Sequence, residues 1–154
     1  NGVSSKPAVV MFASEGQKDS LSFIRETREF VCNLANWDLR EAMNATSAPL
    51  ARGVNEMTRA GLEPTPSRIV RPPRVKASPC ALECRLVKVV SVETADGAPL
   101  DNYVVLGEVI GVHIDERYIV DGRLDTAAVK PIARCGYDEY AVVESVFAMQ
   151  RPVK

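Results

Sequence analysis

The feature that most constrains the fold is a pair of long β-type segments in the second half of the chain. They read CALECRLVKVVSVET and NYVVLGEVIGVHI, and both are rich in β-branched residues. The connection between them, ADGAPLD, contains Asp96-Gly97, a dipeptide that favours a hairpin turn. We therefore expect two long antiparallel strands, which favour a barrel or curled sheet over an alternating βαβ fold.

Shorter segments on both sides of this hairpin complete the expected organisation. Apolar runs predict strands at residues 7–13, 29–35, 119–120 and 140–149. Capping residues followed by amphipathic spacing predict short helices that begin at Asp19 or Ser20, Asp38, Asn55 and Asp125. Residues 62–74 contain four prolines and are expected to cross the surface in an extended conformation. Residues 1–154 are interpreted as one domain.

The composition excludes several classes of protein. The formal net charge is −1, so no global field draws the chain to nucleic acid or to an anionic membrane. The sequence shows no signal peptide, no lipidation motif and no apolar run long enough to cross a bilayer. We therefore expect a cytoplasmic protein whose partners include neither nucleic acid nor membranes.

The four cysteines, Cys32, Cys80, Cys84 and Cys135, are interpreted as buried free thiols. Cys80 and Cys84 fall in one expected strand, where their Cα atoms lie about 13 Å apart. Disulfide partners need Cα atoms within about 7 Å of each other. No second Cys/His pair has zinc spacing, and His113 is the only histidine, so no metal site is expected.

Polar and basic residues crowd the start of the first expected helix, in the segment SEGQKDSLSFIRE (residues 14–26). Asp19 or Ser20 can act as an ordinary helix cap. Alternatively, the helix start binds an anion, because it offers unpaired N–H groups and Lys18 adds a full positive charge. The spacing differs from that of a Walker phosphate loop, so the residues alone leave both interpretations open.

A row of small residues marks one face of the segment NYVVLGEVIGVHI. Gly107 and Gly111 leave bare backbone there, and His113 ends the same row. Bare backbone weakens a strand unless a flat group or another backbone packs against it. Two interpretations remain open: a dimer contact or barrel bend with a hydrogen-bonded histidine, or a shelf for a ring-shaped ligand.

The order of several segments resembles a known family. These segments are SEGQKDSL, FVCNLA, EAMNATSAPL, VRPPRVKASPCALECRL, GEVIGVHID and PIARCGYDEYAVV. They resemble the flavin reductase-like, FMN-binding split-barrel family, in particular its flavoredoxin-related branch. The resemblance implies a mainly β fold, a six-stranded antiparallel Greek-key split barrel with short peripheral helices. It also implies a homodimer with FMN in a groove at or near the dimer interface.

The resemblance also implies roles for individual residues. In the family the SEGxKDS segment helps to hold the flavin phosphate, which here corresponds to Ser14, Lys18, Asp19 and Ser20. The other implied FMN contacts lie near the flavin ring system and correspond to Cys32, Asn33, Asn44, Ala45 and Thr46. His113 and Arg134 match positions close to the flavin or the substrate, and they are the candidate catalytic residues.

Two departures from the family pattern stand out. The family usually begins with further strands that help to clasp the flavin, and these N-terminal strands are expected to be missing from a chain that opens with NGVSSKP. The Arg-Leu-Gly-Gly motif of the family is altered to Arg134-Cys135-Gly136-Tyr137. The first departure bears on how firmly this chain holds FMN.

The function that the resemblance implies is that of an FMN-dependent oxidoreductase. The leading hypothesis is an NAD(P)H:flavin reductase that supplies reduced flavin to a partner oxygenase. The alternative is a non-catalytic FMN electron carrier of the flavoredoxin type, reduced by another redox protein. A third hypothesis is a barrel that has lost its cofactor and serves as an interaction module.

Overall fold

The computed structural model describes residues 1–152, and its centre is the long hairpin that the sequence predicts. The central five-stranded antiparallel sheet contains β1 (Gly2–Ser5), β2 (Ala8–Glu15), β3 (Glu29–Asn33), β6 (Cys80–Glu93) and β7 (Pro99–Ile114). Three separate strand pairs are β4 (Pro64–Thr65) with β5 (Arg74–Val75), β8 (Ile119–Val120) with β9 (Arg123–Leu124), and β10 (Ile132–Arg134) with β11 (Tyr140–Val142). The order in the central sheet is β1-β2-β7-β6-β3.

The mainly β architecture is therefore confirmed, whereas the six-stranded barrel stays a prediction. The central hairpin agrees closely with the sequence, and β1 is a strand that the sequence analysis missed. The segment GVSS has no apolar alternation, and it is a strand because it pairs with β2. The last strand is shorter than predicted, since β11 ends at Val142 and residues 143–152 form no regular element.

Short helices connect the strands and begin mostly where capping residues predict. They are α1 (Asp19–Thr27), α2 (Arg40–Ala45), α3 (Glu56–Arg59) and α4 (Thr126–Val129), with 3₁₀ turns at Trp37–Leu39 and Glu116–Tyr118. The side chains of Asn55 and Asp125 cap α3 and α4, as expected. No helix within residues 1–152 is long and apolar enough to cross a membrane.

Two of the predicted caps are wrong. Asn36, not Asp38, caps the 3₁₀ turn that leads into α2, because its Oδ1 accepts a hydrogen bond from the Leu39 N–H at 3.2 Å. The residue at the N-cap of α1 is Lys18, whose extended backbone places Asp19 inside the helix. Since a lysine side chain has no acceptor, α1 begins without a side-chain cap.

The hydrophobic core lies between α1 and one face of the central sheet. Its buried residues are Leu21, Ile24, Phe30, Cys84, Leu86 and Val105. Leu21 and Ile24 are one helical turn apart, so α1 presents both to the sheet. The rings of Phe12 and Phe30 meet edge to face with centroids 5.6 Å apart. This core fixes the start of α1 against β2 and β7.

A β-bulge divides the central hairpin. Cys84 pairs with Val109, whereas its neighbour Glu83 pairs with Gly111, so β7 contains one extra residue at this point. Successive residues of β6 point to opposite faces of the sheet. The bulge therefore places Val109 and Gly111 on opposite faces, although their spacing in the sequence predicts one face.

Candidate functional site

The two glycines of β7 do not form one shelf, because the bulge separates them. A Cβ at Gly107 would overlap the ring of Phe30, lying 2.5 Å from its Cε1 atom. A Cβ at Gly111 would lie 3.1 Å from Ile69 and 3.3 Å from Glu83, on the other face. Side chains of the chain itself thus occupy both spaces, which contradicts the interpretation of a shelf for a ring-shaped ligand.

His113 is bound to an internal carboxylate. Its Nε2 atom is hydrogen-bonded to Glu83, which is fully buried. The same carboxylate accepts bonds of 2.7–2.9 Å from the backbone N–H groups of Arg68, Ile69 and Val70. Burial alone raises the pKa of Glu83, but these donors together with His113 lower it to about 2. The pair thus attaches the proline-rich crossing to the sheet.

The start of α1 brings Lys18, Asp19 and Ser20 together on the surface. Lys18 and Ser20 are exposed, and no side chain caps the first turn. Arg52 reaches this helix from the loop between α2 and α3, with its Nε atom 3.8 Å from Asp19 and its Nη2 atom 3.9 Å from Glu26. Arg52 is thus paired with two carboxylates of α1, while the helix start keeps Lys18 at its N-cap and a set of uncapped N–H groups, which suit an anion.

Two of the predicted FMN contacts are engaged inside the fold. The Ser14 hydroxyl is buried and donates to the carbonyl of Gly16 at 3.0 Å, in the turn that precedes α1. The Oδ1 atom of Asn33 accepts from the N–H of Val75 at 2.9 Å and so attaches β5 to β3. Both side chains shape the backbone around the predicted site, and their polar groups have partners within the chain.

Cys32 lies on the core face of β3, next to Cys84 of β6. Register places Cys32 opposite Leu82 and Cys84 opposite Phe30, so the two thiols are diagonal neighbours. The interaction with Cys84 lowers the pKa of Cys32, whereas the interaction with Cys32 together with burial raises the pKa of Cys84. All four cysteines are free thiols, as predicted, but only Cys84 is buried: Cys32 and Cys80 are partly exposed, and Cys135 is exposed because it lies in the β10–β11 turn at the surface.

Asn44, Ala45 and Thr46 lie at the end of α2. The Thr46 hydroxyl donates to the Met43 carbonyl at 2.7 Å and closes the last turn. Asn44 and Ala45 are exposed. Among these three residues, Asn44 lines a cleft on the surface of the chain.

This cleft has a volume of about 530 Å³ and lies between the segment 37–47 and the β10–β11 hairpin. Asn44 and Arg134, both predicted site residues, line it from opposite walls. Aromatic side chains from both walls complete it: Trp37, Tyr137 and Tyr140. These aromatic residues were not predicted as site residues, because the two walls are separated by more than 80 positions in the sequence and only the fold brings them together.

The predicted residues thus fall into separate groups. Lys18, Asp19 and Ser20 form the start of α1, and Asn44 and Arg134 line the cleft. Residues 47–52 join the two groups. Ser47 lines the cleft, and Arg52 reaches α1. The residues of the third group contact the interior of the fold: Ser14, Cys32, Asn33 and His113. Among residues 1–152, no cluster of three or more His, Cys, Asp or Glu side chains is arranged to hold a metal ion.

Comparisons with known proteins agree with the fold. The chain is 30% identical over 135 residues to an uncharacterized protein of Halalkalibacterium halodurans, and the match covers 88% of this chain. The chain spans 64% of the length of that relative. Nitrilotriacetate monooxygenase component B from Bacillus cereus has a similar structure, with a TM-score of 0.90 and 25% identity over 97% of this chain and 75% of that one.

The flavoredoxin of Desulfovibrio vulgaris (Miyazaki F) shares the fold at 20% identity, with a TM-score of 0.83 and coverage of 97% of this chain and 77% of that one. A family model described as "Flavin reductase like domain" matches residues 1–125. This match covers most of the chain and confirms the family resemblance that the sequence segments indicated. The chain therefore belongs to the flavin reductase-like domain family.

Proposed function

We propose that this chain is part of an FMN-binding oxidoreductase that works as an NAD(P)H:flavin reductase and supplies reduced flavin to a partner oxygenase. Family membership supports the flavin chemistry, and the similarity to a monooxygenase component B supports the kind of partner. The observation that carries the proposal is the start of α1, where Lys18 holds the N-cap position, no side chain caps the first turn and Arg52 lies beside Asp19.

The start of α1 fits a phosphate group. A phosphate monoester carries about −1.5 to −2 charges at neutral pH and accepts several hydrogen bonds. Lys18 would contribute a charge-assisted contact, and Ser20 would donate its hydroxyl proton. Asp19 cannot face an anion, and its proximity to Arg52 gives it another role, which is to position that guanidinium.

The residues proposed for the flavin ring are those near the end of α2 and on β3. Asn44, Ala45 and Thr46 would bound the ring system, with Cys32 and Asn33 supporting the strand beside it. FMN, when bound, supplies the hydride and electron transfer chemistry, while the protein provides position and electrostatics. The reaction therefore needs no side-chain nucleophile, which suits a chain with a single histidine.

Arg134 and His113 have different roles in this proposal. The Arg134 side chain is exposed and lines the cleft, where its guanidinium would stabilise negative charge on a bound substrate or on the reduced ring. His113 is a positioning residue, because its ring is hydrogen-bonded to the buried carboxylate of Glu83. Through Glu83 it would hold residues 68–70 in place.

We also propose a homodimer, because large apolar side chains remain uncovered in the monomer. Val146, Phe147 and Met149 follow β11 and are 63%, 85% and 81% exposed. Val112 near the end of β7 is also exposed. Several large apolar side chains exposed within a few residues of each other favour an interaction site. A second copy of the chain would bury it.

Steady-state oxidation of NADH and NADPH, with and without added FMN, tests the catalytic proposal. A flavin reductase oxidises the nicotinamide rapidly when free flavin is present. A protein that holds FMN but is inert to both nicotinamides would instead be an electron carrier. A protein that takes up no FMN would contradict both of these functions. It would favour the third hypothesis, a barrel that has lost its cofactor and serves as an interaction module.

A further inference from the structure

Three cysteines lie close together along the pairing of β3 with β6. Cys32 is directly opposite Leu82, so Cys80 and Cys84, two residues before and two residues after Leu82, are its diagonal neighbours. Residues two positions apart on a strand point to the same face of the sheet. Cys80 and Cys84 therefore share the face of Cys32, which has two possible partners.

The twist of the sheet favours Cys84 as the closer partner. Neighbouring strands twist relative to each other, and the β-bulge opposite Cys84 increases the twist at this point. A twist brings one of two diagonal neighbours closer and moves the other away. The thiols of Cys32 and Cys84 interact, which lowers the pKa of Cys32, whereas burial and the carboxylate of Asp115 raise the pKa of Cys80.

The thiols of Cys32 and Cys84 differ in exposure and in acidity. Cys32 is partly exposed, whereas Cys84 is fully buried and its Sγ atom donates to the carbonyl of Leu82 at 3.6 Å. The interaction with Cys32, together with burial, raises the pKa of Cys84. A thiol with a lowered pKa and access to solvent is the one that oxidants attack. Cys32 therefore suits the role of the attacking thiol, and Cys84 that of the thiol that resolves the product.

A disulfide between these two residues requires a small movement of β3. Diagonal neighbours lie about 7–8 Å apart at their Cα atoms, and disulfide bonds need about 4.4–6.8 Å. β3 has five residues and is an edge strand of the central sheet, so it can approach β6 without displacing another strand of that sheet. A disulfide that forms under strain is readily reduced by other thiols, which makes the oxidation reversible.

We propose that Cys32 and Cys84 form a reversible redox site, which hydrogen peroxide converts from two thiols to a disulfide. The Cys32 thiolate attacks one peroxide oxygen, the O–O bond breaks, and hydroxide leaves as Cys32 becomes a sulfenic acid. The Cys84 thiol then attacks the Cys32 sulfur, the S–S bond forms, the S–O bond breaks, and the hydroxyl group leaves with the Cys84 proton as water. Two thiols thus lose two electrons and two protons, and one peroxide becomes two water molecules. The inference goes beyond the proposed function, because this oxidation needs no bound flavin.

Mass spectrometry of the peroxide-treated chain, without added FMN, tests the proposal. In Cys80→Ala/Cys135→Ala, which keeps only Cys32 and Cys84, peroxide should remove the mass of two hydrogen atoms from the monomer, and dithiothreitol should restore it. A tryptic digest should contain a disulfide that joins residues 29–40 to residues 77–85. Exchange of the Val75 amide hydrogen should accelerate on oxidation, because movement of β3 weakens the bond from this amide to the side chain of residue 33.

Two matched variants keep other pairs of these cysteines. Cys84→Ala/Cys135→Ala retains Cys32 with Cys80, and there Cys32 should stop at the sulfenic acid, which dimedone traps. In Cys32→Ala/Cys135→Ala, the buried Cys84 should react with peroxide at least about tenfold more slowly than in Cys80→Ala/Cys135→Ala. A disulfide between Cys32 and Cys80 would overturn the proposal. So would a Cys32 that peroxide leaves unoxidised, or an oxidised Cys32 beside a Cys84 that is still a thiol in Cys80→Ala/Cys135→Ala.

Discussion

Glycine at position 107 leaves the space that the Phe30 ring occupies in the core. The two residues lie on adjacent parts of the same sheet face, and the ring of Phe30 also packs edge to face against Phe12. A side chain at position 107 would have to displace a ring that is itself buried. The small residue is therefore a requirement of internal packing.

Gly107→Ala should lower the free energy of unfolding by about 1–3 kcal/mol, because overpacking forces buried side chains from their preferred positions. Urea denaturation measures the change. Gly2→Ala is the matched control, since nothing lies within 4 Å of a Cβ at that position. Phe30→Leu should recover part of the loss in the double variant. If Gly107→Ala left the stability unchanged and weakened FMN binding, Gly107 would make room for the ligand and not for Phe30.

At the level of elements, the buried carboxylate of Glu83 connects two parts of the chain that are otherwise separate. It accepts three backbone hydrogen bonds from the proline-rich crossing and one from the His113 ring on β7. A buried charge is stable only when it is fully hydrogen-bonded, and here every donor comes from a different residue. Removal of the charge should therefore affect the crossing first.

Glu83→Gln should destabilise the protein by about 2–4 kcal/mol, because an amide directs its NH₂ group at backbone donors. Hydrogen exchange at residues 68–70 should accelerate. Glu93→Gln, an exposed change in the same strand, should have almost no effect on either measurement. Slow exchange that persists at residues 68–70 in Glu83→Gln would show that the carboxylate does not hold the crossing.

The same group predicts how stability depends on pH. The pKa of Glu83 is about 2 in the folded chain, against an ordinary value of 4.5. The stability that its charge contributes is therefore complete above about pH 4.5 and is lost as the pH falls towards 2. Urea denaturation at a series of pH values should show this loss in the wild type and a shallower dependence in Glu83→Gln. Parallel curves would contradict the assignment.

The elements also show why sequence reasoning succeeded or failed. The β6–β7 hairpin was predictable, since two long β-branched runs flank Asp96-Gly97. The bulge was not, because it depends on how Cys84 and Glu83 pair across the sheet. In the candidate site, the start of α1 could be predicted because its residues are contiguous in the sequence. The cleft could not, because Trp37 and Tyr140 are distant in the sequence and come together only in the fold. Local signals locate a helix start to within about two residues, as the caps at Lys18 and Asn36 show, and only tertiary pairing reveals clefts.

For the molecule as a whole, the uncovered apolar side chains after β11 carry the proposal of a homodimer. A dimer would bury Phe147 and Met149. Residues 143–152, which follow β11, would then approach a second copy of the chain. Burial of a large aromatic side chain contributes about 1.5–3 kcal/mol, so one charged substitution should be enough to weaken the interface.

Phe147→Asp should shift the protein from dimer to monomer at micromolar concentration, as measured by light scattering coupled to size exclusion. Tyr137→Asp changes an equally exposed aromatic residue in the β10–β11 turn and serves as the control. A wild-type protein that is monomeric at all concentrations, or a Phe147→Asp variant that remains dimeric, would contradict the proposed interface.

The start of α1 is proposed to hold the phosphate of FMN, and a titration of the flavin tests this assignment. FMN fluorescence should be quenched by the wild-type protein in a saturable way. Lys18→Ala should weaken binding roughly 10- to 150-fold, which corresponds to about 1.5–3 kcal/mol, while Lys88→Ala, an exposed lysine on β6, should not. Equal affinities for the wild type and Lys18→Ala, or no quenching by the wild type, would contradict the account.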